Sequence, residues 1–221
     1  MKKQLRNNGL SIVLFGLFLT TEVGLTIVGH RHHNQGQIQH NQSPITYFQY
    51  LISPGFIEAT MENWESEFLQ MGAYVILTSF LYQKGSAESK KLDEPEAVDR
   101  EPRRSAGNPE VPWPVRRGGL ILKIYEYSLT LALVFLFAIS FAWHAYSGAL
   151  EYSEHQIAHG RNTVTAFQYL ATAQFWYESL QNWQSEFLSI GVMVVLSIFL
   201  RQKGSPESKP VDASYRETGH A

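Results

Sequence analysis

The 221 residues contain no cysteine, which excludes a disulfide framework, a thiol nucleophile and any cysteine-ligated zinc or iron–sulfur centre. The chain also lacks an HExxH pair, a glycine-rich phosphate loop, a GxSxG elbow and a basic–aromatic RNA motif, so no complete catalytic constellation can be assembled. The expectation is a protein that is not an enzyme and holds no cofactor. A formal net charge of -2 supplies no basic field for nucleic acid. Charged residues make up only 17% of the chain, and four stretches are nearly free of them.

The first of these, Leu10 to Val28, reads LSIVLFGLFLTTEVGLTIV with Glu22 as its only charge. At ~1.5 Å per residue it can cross a hydrocarbon core of roughly 30 Å as a helix. The basic start resembles a signal peptide, but the apolar run is long for one and no A-x-A type cleavage site follows. A second stretch covers about 128–147. Two shorter ones, 68–82 and 187–200, reach spanning length if their helices begin at Trp64 and Trp183, which suit the membrane–water interface as anchors. The four expected spans are therefore 10–28, 64–82, 128–147 and 183–201. Lys and Arg divide 3, 1, 9, 1, 4 among the segments before, between and after them. The positive-inside rule places both termini and the central segment in the cytoplasm.

Sliding the chain on itself by 119 residues aligns 37–90 with 156–209 without a gap, about half of the positions being identical. NWESEFL at Asn63 to Leu69 recurs as NWQSEFL at Asn182 to Leu188, and QKGSAESK at Gln83 to Lys90 as QKGSPESK at Gln202 to Lys209. Each copy holds two spans, so both insert with the same orientation, as a parallel repeat. The expected fold is an all-α integral membrane protein, with four transmembrane helices as two parallel tandem repeats of two helices. Its expected divisions are a first membrane repeat (1–87), a flexible cytoplasmic linker (88–118) rich in proline and mixed charge, a second repeat (119–209) and a disordered tail (210–221). TYFQYLISPGF and TAFQYLATAQFWYESL, between the spans of each copy, are too aromatic for a solvated loop and predict outer interfacial helices. In QKGS, glycine suits the left-handed position that ends a helix.

These repeated W-x-S-E-F and K-G-S-x-E-S-K motifs resemble those of an uncharacterised family of small bacterial multi-pass membrane proteins, catalogued as a domain of unknown function. The resemblance covers both repeats and the linker. It implies residence in a bacterial inner membrane and brings no activity, substrate or catalytic residue.

Candidate chemistry rests on polar residues in or near the spans. Glu67 and Glu186 occupy equivalent positions and share helix faces with Asn63 and Gln70, and with Asn182 and Ser189. Facing each other across a bundle, they would make an ion or proton site; at the outer interface they would only anchor their helices. Glu22 lies deeper and calls for a partner, with Thr20, Thr21 and His144 at suitable depth. Glu151, His155 and His159 fall at i, i+4 and i+8, a weak metal-binding pattern. Two functional readings follow, ahead of a third, membrane enzyme chemistry at the histidine and acid cluster between the spans, for which no complete site can be assembled. One is a structural or accessory component of the envelope, whose partners are the bilayer, a second copy of the chain or another membrane protein. The other is a small proton or cation transporter or channel using Glu67, Glu186 and Glu22, its substrate unknown.

Overall fold

The computed structural model describes residues 2–219; Met1, His220 and Ala221, which belong to the first repeat and the tail, lie outside the described residues. Among the described residues the chain is all helical, without strands. Its long elements are α1 (Lys2–Gln39), α3 (Pro54–Phe80), α6 (Ser128–Ala158) and α8 (Ala173–Phe199). Short α2 (Tyr47–Leu51) and α7 (Ala166–Tyr169) precede α3 and α8, while α4 (Trp113–Arg117) and α5 (Gly119–Glu126) lead into α6. Three helices, containing Arg6–Gln39, Ser128–Ala158 and Ala173–Phe199, are long and apolar enough to cross a membrane. α3 is as long as α8, 27 residues each, but carries Glu58, Glu62, Glu65 and Glu67 in its first half.

All four long helices differ from the expected spans at the ends near α2 and α7. α1 continues to Gln39 and α6 to Ala158, because HRHHNQGQIQ and the matching stretch of α6 contain no proline to stop a helix. α3 and α8 start about ten residues early, at Pro54 and Ala173. Phe175, Trp176 and Tyr177 thus belong to the first turns of α8, and the aromatic stretches form only α2 and α7 before joining the long helices.

The turnarounds are built alike. Asn41 (φ 57) and Gly160 (φ 71), 119 positions apart, both take the left-handed conformation that ends a helix. Thr46 with Gln49, and Thr165 with Gln168, form capping boxes at α2 and α7. Ser53 and Thr172 then cap α3 and α8 by accepting from the Phe56 and Phe175 N–H groups.

The core is formed by Ala145, Ala149, Tyr169 and Phe175, with Phe141, Tyr152, Val164 and Leu170 packed around them. α6 turns a buried face of Ser140, His144, Ala145, Ser147, Gly148 and Ala149 inward. Small residues let neighbouring helices approach closely, which is how helices gain contact energy where lipid supplies no hydrophobic drive between them. α3 packs most extensively on α6 and then on α8. α1 sits at the edge; among its contacts with the rest are Phe18 against Trp64, the Tyr47 hydroxyl on Thr26 (2.6 Å) and Asn34 on Ile45. Its apolar side chains from Leu10 to Val28 are mostly exposed.

At the opposite end, Ser86 Oγ lies 2.8 Å from Ser197 Oγ, joining the QKGS segment to α8. The segment 88–118 carries two single-turn 3-10 helices, Ala97–Asp99 and Pro102–Ser105, besides α4. Residues 210–219 lie against the first QKGS turn, where Gly85 N–H donates to Thr218 Oγ1 (2.8 Å) and Gly219 N–H to the Ser86 carbonyl (2.9 Å).

Candidate functional site

The stripe from α3 and its counterpart on α8 do meet. Gln70 Nε2 donates to the Glu186 carbonyl (3.0 Å) and to Ser189 Oγ (3.2 Å). Glu186 lies within electrostatic reach of Glu67. Yet Glu67 is exposed and Glu186 only half-buried, and Asn63 folds back onto the Ala59 carbonyl of its own helix (2.7 Å). Glu22 is half-buried and away from His144; Thr20 and Thr21 are satisfied by the Gly16 and Leu17 carbonyls of α1. At the C-terminal end of α6, His155 Nε2 stands 3.6 Å from Glu151 and His159 Nδ1 bonds the His155 carbonyl (2.8 Å), so the two imidazoles do not converge. Trp64 packs on Phe18, half-exposed. Trp183 instead turns its indole N–H inward, donating to Glu65 (3.2 Å).

That bond belongs to a polar cluster between α3, α6 and α8. His144 is fully buried, its side chain stacked on Phe175 with ring centroids 4.7 Å apart. Its Nδ1 lies 2.9 Å from Oε2 of Glu65, another fully buried side chain. A carboxylate only accepts, so Nδ1 carries a hydrogen; in the neutral form of the ring Nε2 then keeps its lone pair, and in the charged form it carries a second hydrogen. Nε2 is buried and has no hydrogen-bond partner. It points at two further acids, Glu178 Oε2 at 3.5 Å and Glu58 Oε1 at 3.9 Å. One ligand atom from each of Glu58, Glu62 and His144 lies within 4.8 Å of the others.

Glu62 and Glu178 are held in place by neutral donors. Asn182 Nδ2 donates to Glu62 (2.6 Å), the Tyr169 hydroxyl to Glu178 Oε2 (2.5 Å), and Gln174 Nε2 to the other oxygen of Glu178. Such a shell of donors fixes the direction of each carboxylate. Glu58, Glu62 and Glu65 sit on one face of α3 because their spacing is i, i+4 and i+7. Glu67, two positions on, is rotated by roughly 200° and faces out.

The depth of the cluster follows from helix rise. His144 is sixteen residues from the start of α6, Glu62 eighteen from the end of α3 and Glu178 twenty-one from the end of α8. At ~1.5 Å per residue these are heights of about 24, 27 and 31 Å above the same end of the bundle. The site is therefore at one level, near the end where α2 and α7 lie.

Sequence reasoning missed Glu58, Glu62, Glu65 and Glu178, and placed His144 only as a partner of Glu22. Their equivalents 119 positions away are Tyr177, Gln181, Gln184, Ala59 and Leu25, so a search guided by what the copies share passes over them. The signal present was the reverse one: ionisable residues at one-helix-face spacing beside a span, in one copy and absent from the other.

The family described as a domain of unknown function (DUF6766) matches residues 1–220, and the chain belongs to it. No curated protein and no solved structure matches the chain.

Proposed function

We propose that this member of the family is a four-span protein of a bacterial inner membrane, its termini cytoplasmic, which binds a cation in the outer part of its helix bundle. α3 is the fourth span: about 40 Å long by its residue count, packed on α6 and α8, with Glu58, Glu62 and Glu65 turned toward the site rather than toward lipid. The alike turnarounds at Asn41 and Gly160, the paired capping boxes and the left-handed Gly85 and Gly204 support an architecture of two parallel repeats. The 3, 1, 9, 1, 4 division of basic residues supports the orientation.

The observation that carries the cation reading is the buried His144, with an unpartnered Nε2 facing Glu58 and Glu178. Polar groups buried in a bundle cost stability unless fully satisfied, and apolar residues of similar volume would pack there at lower cost. Four carboxylates around a single imidazole leave an excess of negative charge in a site of low dielectric. A bound cation would balance that charge where the acids are ionised.

A cation that binds the folded state raises its stability by mass action, by about 2.7 kcal/mol at a hundredfold excess over Kd. For a chain of this size that is roughly 5–10 °C in melting temperature. The purified protein is to be melted in detergent with sodium, potassium, magnesium, calcium, manganese and zinc in turn. The reading expects at least one cation to raise the melting temperature of the parent and not of the Glu58→Gln/Glu62→Gln variant. If no cation does so, the structural or accessory role takes its place. One observation favours that role over a conducting path: Gln70 and Ser189 close the α3–α8 seam by direct hydrogen bonding.

A further inference from the structure

The donor atoms of the cluster discriminate among cations. We infer that Glu58, Glu62 and His144, with Glu178 as the fourth ligand, bind one divalent first-row transition-metal ion of the manganese, iron or zinc class; this deepens the cation reading and rests on it. Magnesium and calcium take oxygen donors, and an imidazole contributes nothing to such a site that a water would not. Mixed imidazole and carboxylate sets are those of the first-row transition metals.

The geometry is close to what such an ion requires. Ligand atoms bound at ~2.1 Å to one centre stand roughly 3.0–3.5 Å apart. His144 Nε2 is already 3.5 Å from Glu178 and 3.9 Å from Glu58, and the Glu58, Glu62 and His144 ligand atoms span at most 4.8 Å. Contraction by about an ångström at the ends of flexible glutamates would close the shell.

The surroundings of the imidazole are the second, independent observation. A histidine that ligates a metal through one nitrogen commonly donates its other N–H to a carboxylate, which fixes the tautomer and raises the basicity of the ligating nitrogen. Here the Nδ1–H is given to fully buried Glu65, and Glu65 is itself fixed by the Trp183 N–H. The free Nε2 is buried, at the position where a ligating nitrogen would be. Asn182 on Glu62 and Tyr169 on Glu178 orient two of the three carboxylate ligands. Access is from the end near α2 and α7: the side chains of Glu58 and Glu178 retain 14% and 16% exposure, whereas those of His144 and Glu65 retain none.

The test uses the full chain in detergent, stripped with a chelator, incubated with zinc, manganese or cobalt(II) and desalted before the retained metal is measured. One ion per chain is expected for at least one of the three, and cobalt(II) should give d–d absorption without a thiolate band, since the chain has no cysteine. Glu58→Gln should weaken binding at least tenfold and Glu65→Gln by roughly 10–100-fold, the range for outer-shell partners of a ligating histidine. The His155→Ala/His159→Ala variant should bind as the parent does. His144→Gln should abolish binding, but because it alters a buried position the assignment is also read on the unmodified chain, from paramagnetically shifted imidazole signals of one histidine in the cobalt form. Retention far below one ion per chain for all three metals overturns the inference, and so does retention that depends on His155 and His159. Stabilisation by sodium, potassium, magnesium or calcium with no transition metal retained refutes the metal class and leaves the cation reading standing. Stabilisation by no cation refutes both.

Discussion

Replacing Gly148 with alanine should be among the most damaging single-methyl changes in the protein. A Cβ at Gly148 would stand 2.9 Å from Cζ and 3.0 Å from the hydroxyl oxygen of Tyr169, and closer still to Cε1. Tyr169 is 1% exposed, walled in by Phe175 and Tyr152, so the ring can move only by displacing its neighbours or by lifting its hydroxyl off Glu178. Overpacking of this kind costs about 1–3 kcal/mol. Losing a hydrogen bond to a charged group adds about 1.5–3 kcal/mol, while the better helix propensity of alanine returns at most about 1 kcal/mol. The net loss is about 2–4 kcal/mol, or roughly 5–15 °C in melting temperature for a chain of this length. Thermal melts in detergent measure it, with Gly24→Ala as reference, since no heavy atom lies within 4 Å of a Cβ there. Gly29→Ala, which meets Tyr50 in the equivalent place, should cost less, because no carboxylate accepts from the Tyr50 hydroxyl among the described residues. In a Tyr169→Ala background the penalty at Gly148 should disappear, the mark of a direct contact in a double-mutant cycle. A Gly148→Ala protein as stable as Gly24→Ala would refute the close approach of α6 to α7, and with it the account of how Glu178 is held.

Topology is checked with a reporter active only outside the cytoplasm, which should be active when fused after Gln39 or Arg161 and silent after Asp99 or Ala213; activity after Asp99 would refute the four-span arrangement. Ser197→Ala removes the acceptor of the buried Ala87 N–H (3.2 Å) and the partner of Ser86, so it should cost about 1–3 kcal/mol by leaving a buried donor unpaired, measured by the same melts. Lys90 Nζ bonds Asp99 at 2.8 Å, which holds the Asp99 carboxyl below and the Lys90 ammonium above their usual ranges. With that sign, the stability from Asp99 is present above its unfolded pKa of about 4 and lost as pH falls through the lower folded value. The part from Lys90 is complete below about 10.4 and lost as pH rises through the higher folded value. The protection of amides in 90–99, taken as their exchange rate relative to that of an unstructured peptide at the same pH, should therefore be highest between those limits and fall in acid, and protection unchanged across the range would show that the pair does not clip the segment.

The turns were the most legible part of the fold. Gly85 and Gly204 are left-handed, as the glycine of QKGS predicts, but they lie in turns beyond α3 and α8, which end at Phe80 and Phe199 in extended backbone rather than at the glycines. The ends of the helices were less legible. His30 to Gln39 read as a polar loop, yet the stretch stays helical because Asn34 fastens the returning chain, accepting from the Ile45 N–H (2.8 Å) and donating to its carbonyl (2.9 Å). Composition carries no record of such a bond. The i, i+4, i+7 spacing of Glu58, Glu62 and Glu65 was readable, but the search followed what the repeats share, Glu67 and Glu186, and those acids lie at the rim of the α3–α8 contact.

By itself the sequence determined the polarity and order of the apolar helices and the matched repeat that sets them in pairs. The first two follow from summed transfer energies and from backbone preferences, which act within a few residues of one another. Only the tertiary structure decided which carboxylates meet His144. That depends on how each helix is rotated about its own axis, and the rotation is set by packing across helices: the small face of α6 at Ala145, Gly148 and Ala149 draws α7 and α3 close, which buries Glu65 and leaves Glu67 outside. Residues 58–65, 144 and 178–183 are brought to one point by contacts between distant segments, and no local pattern encodes such contacts.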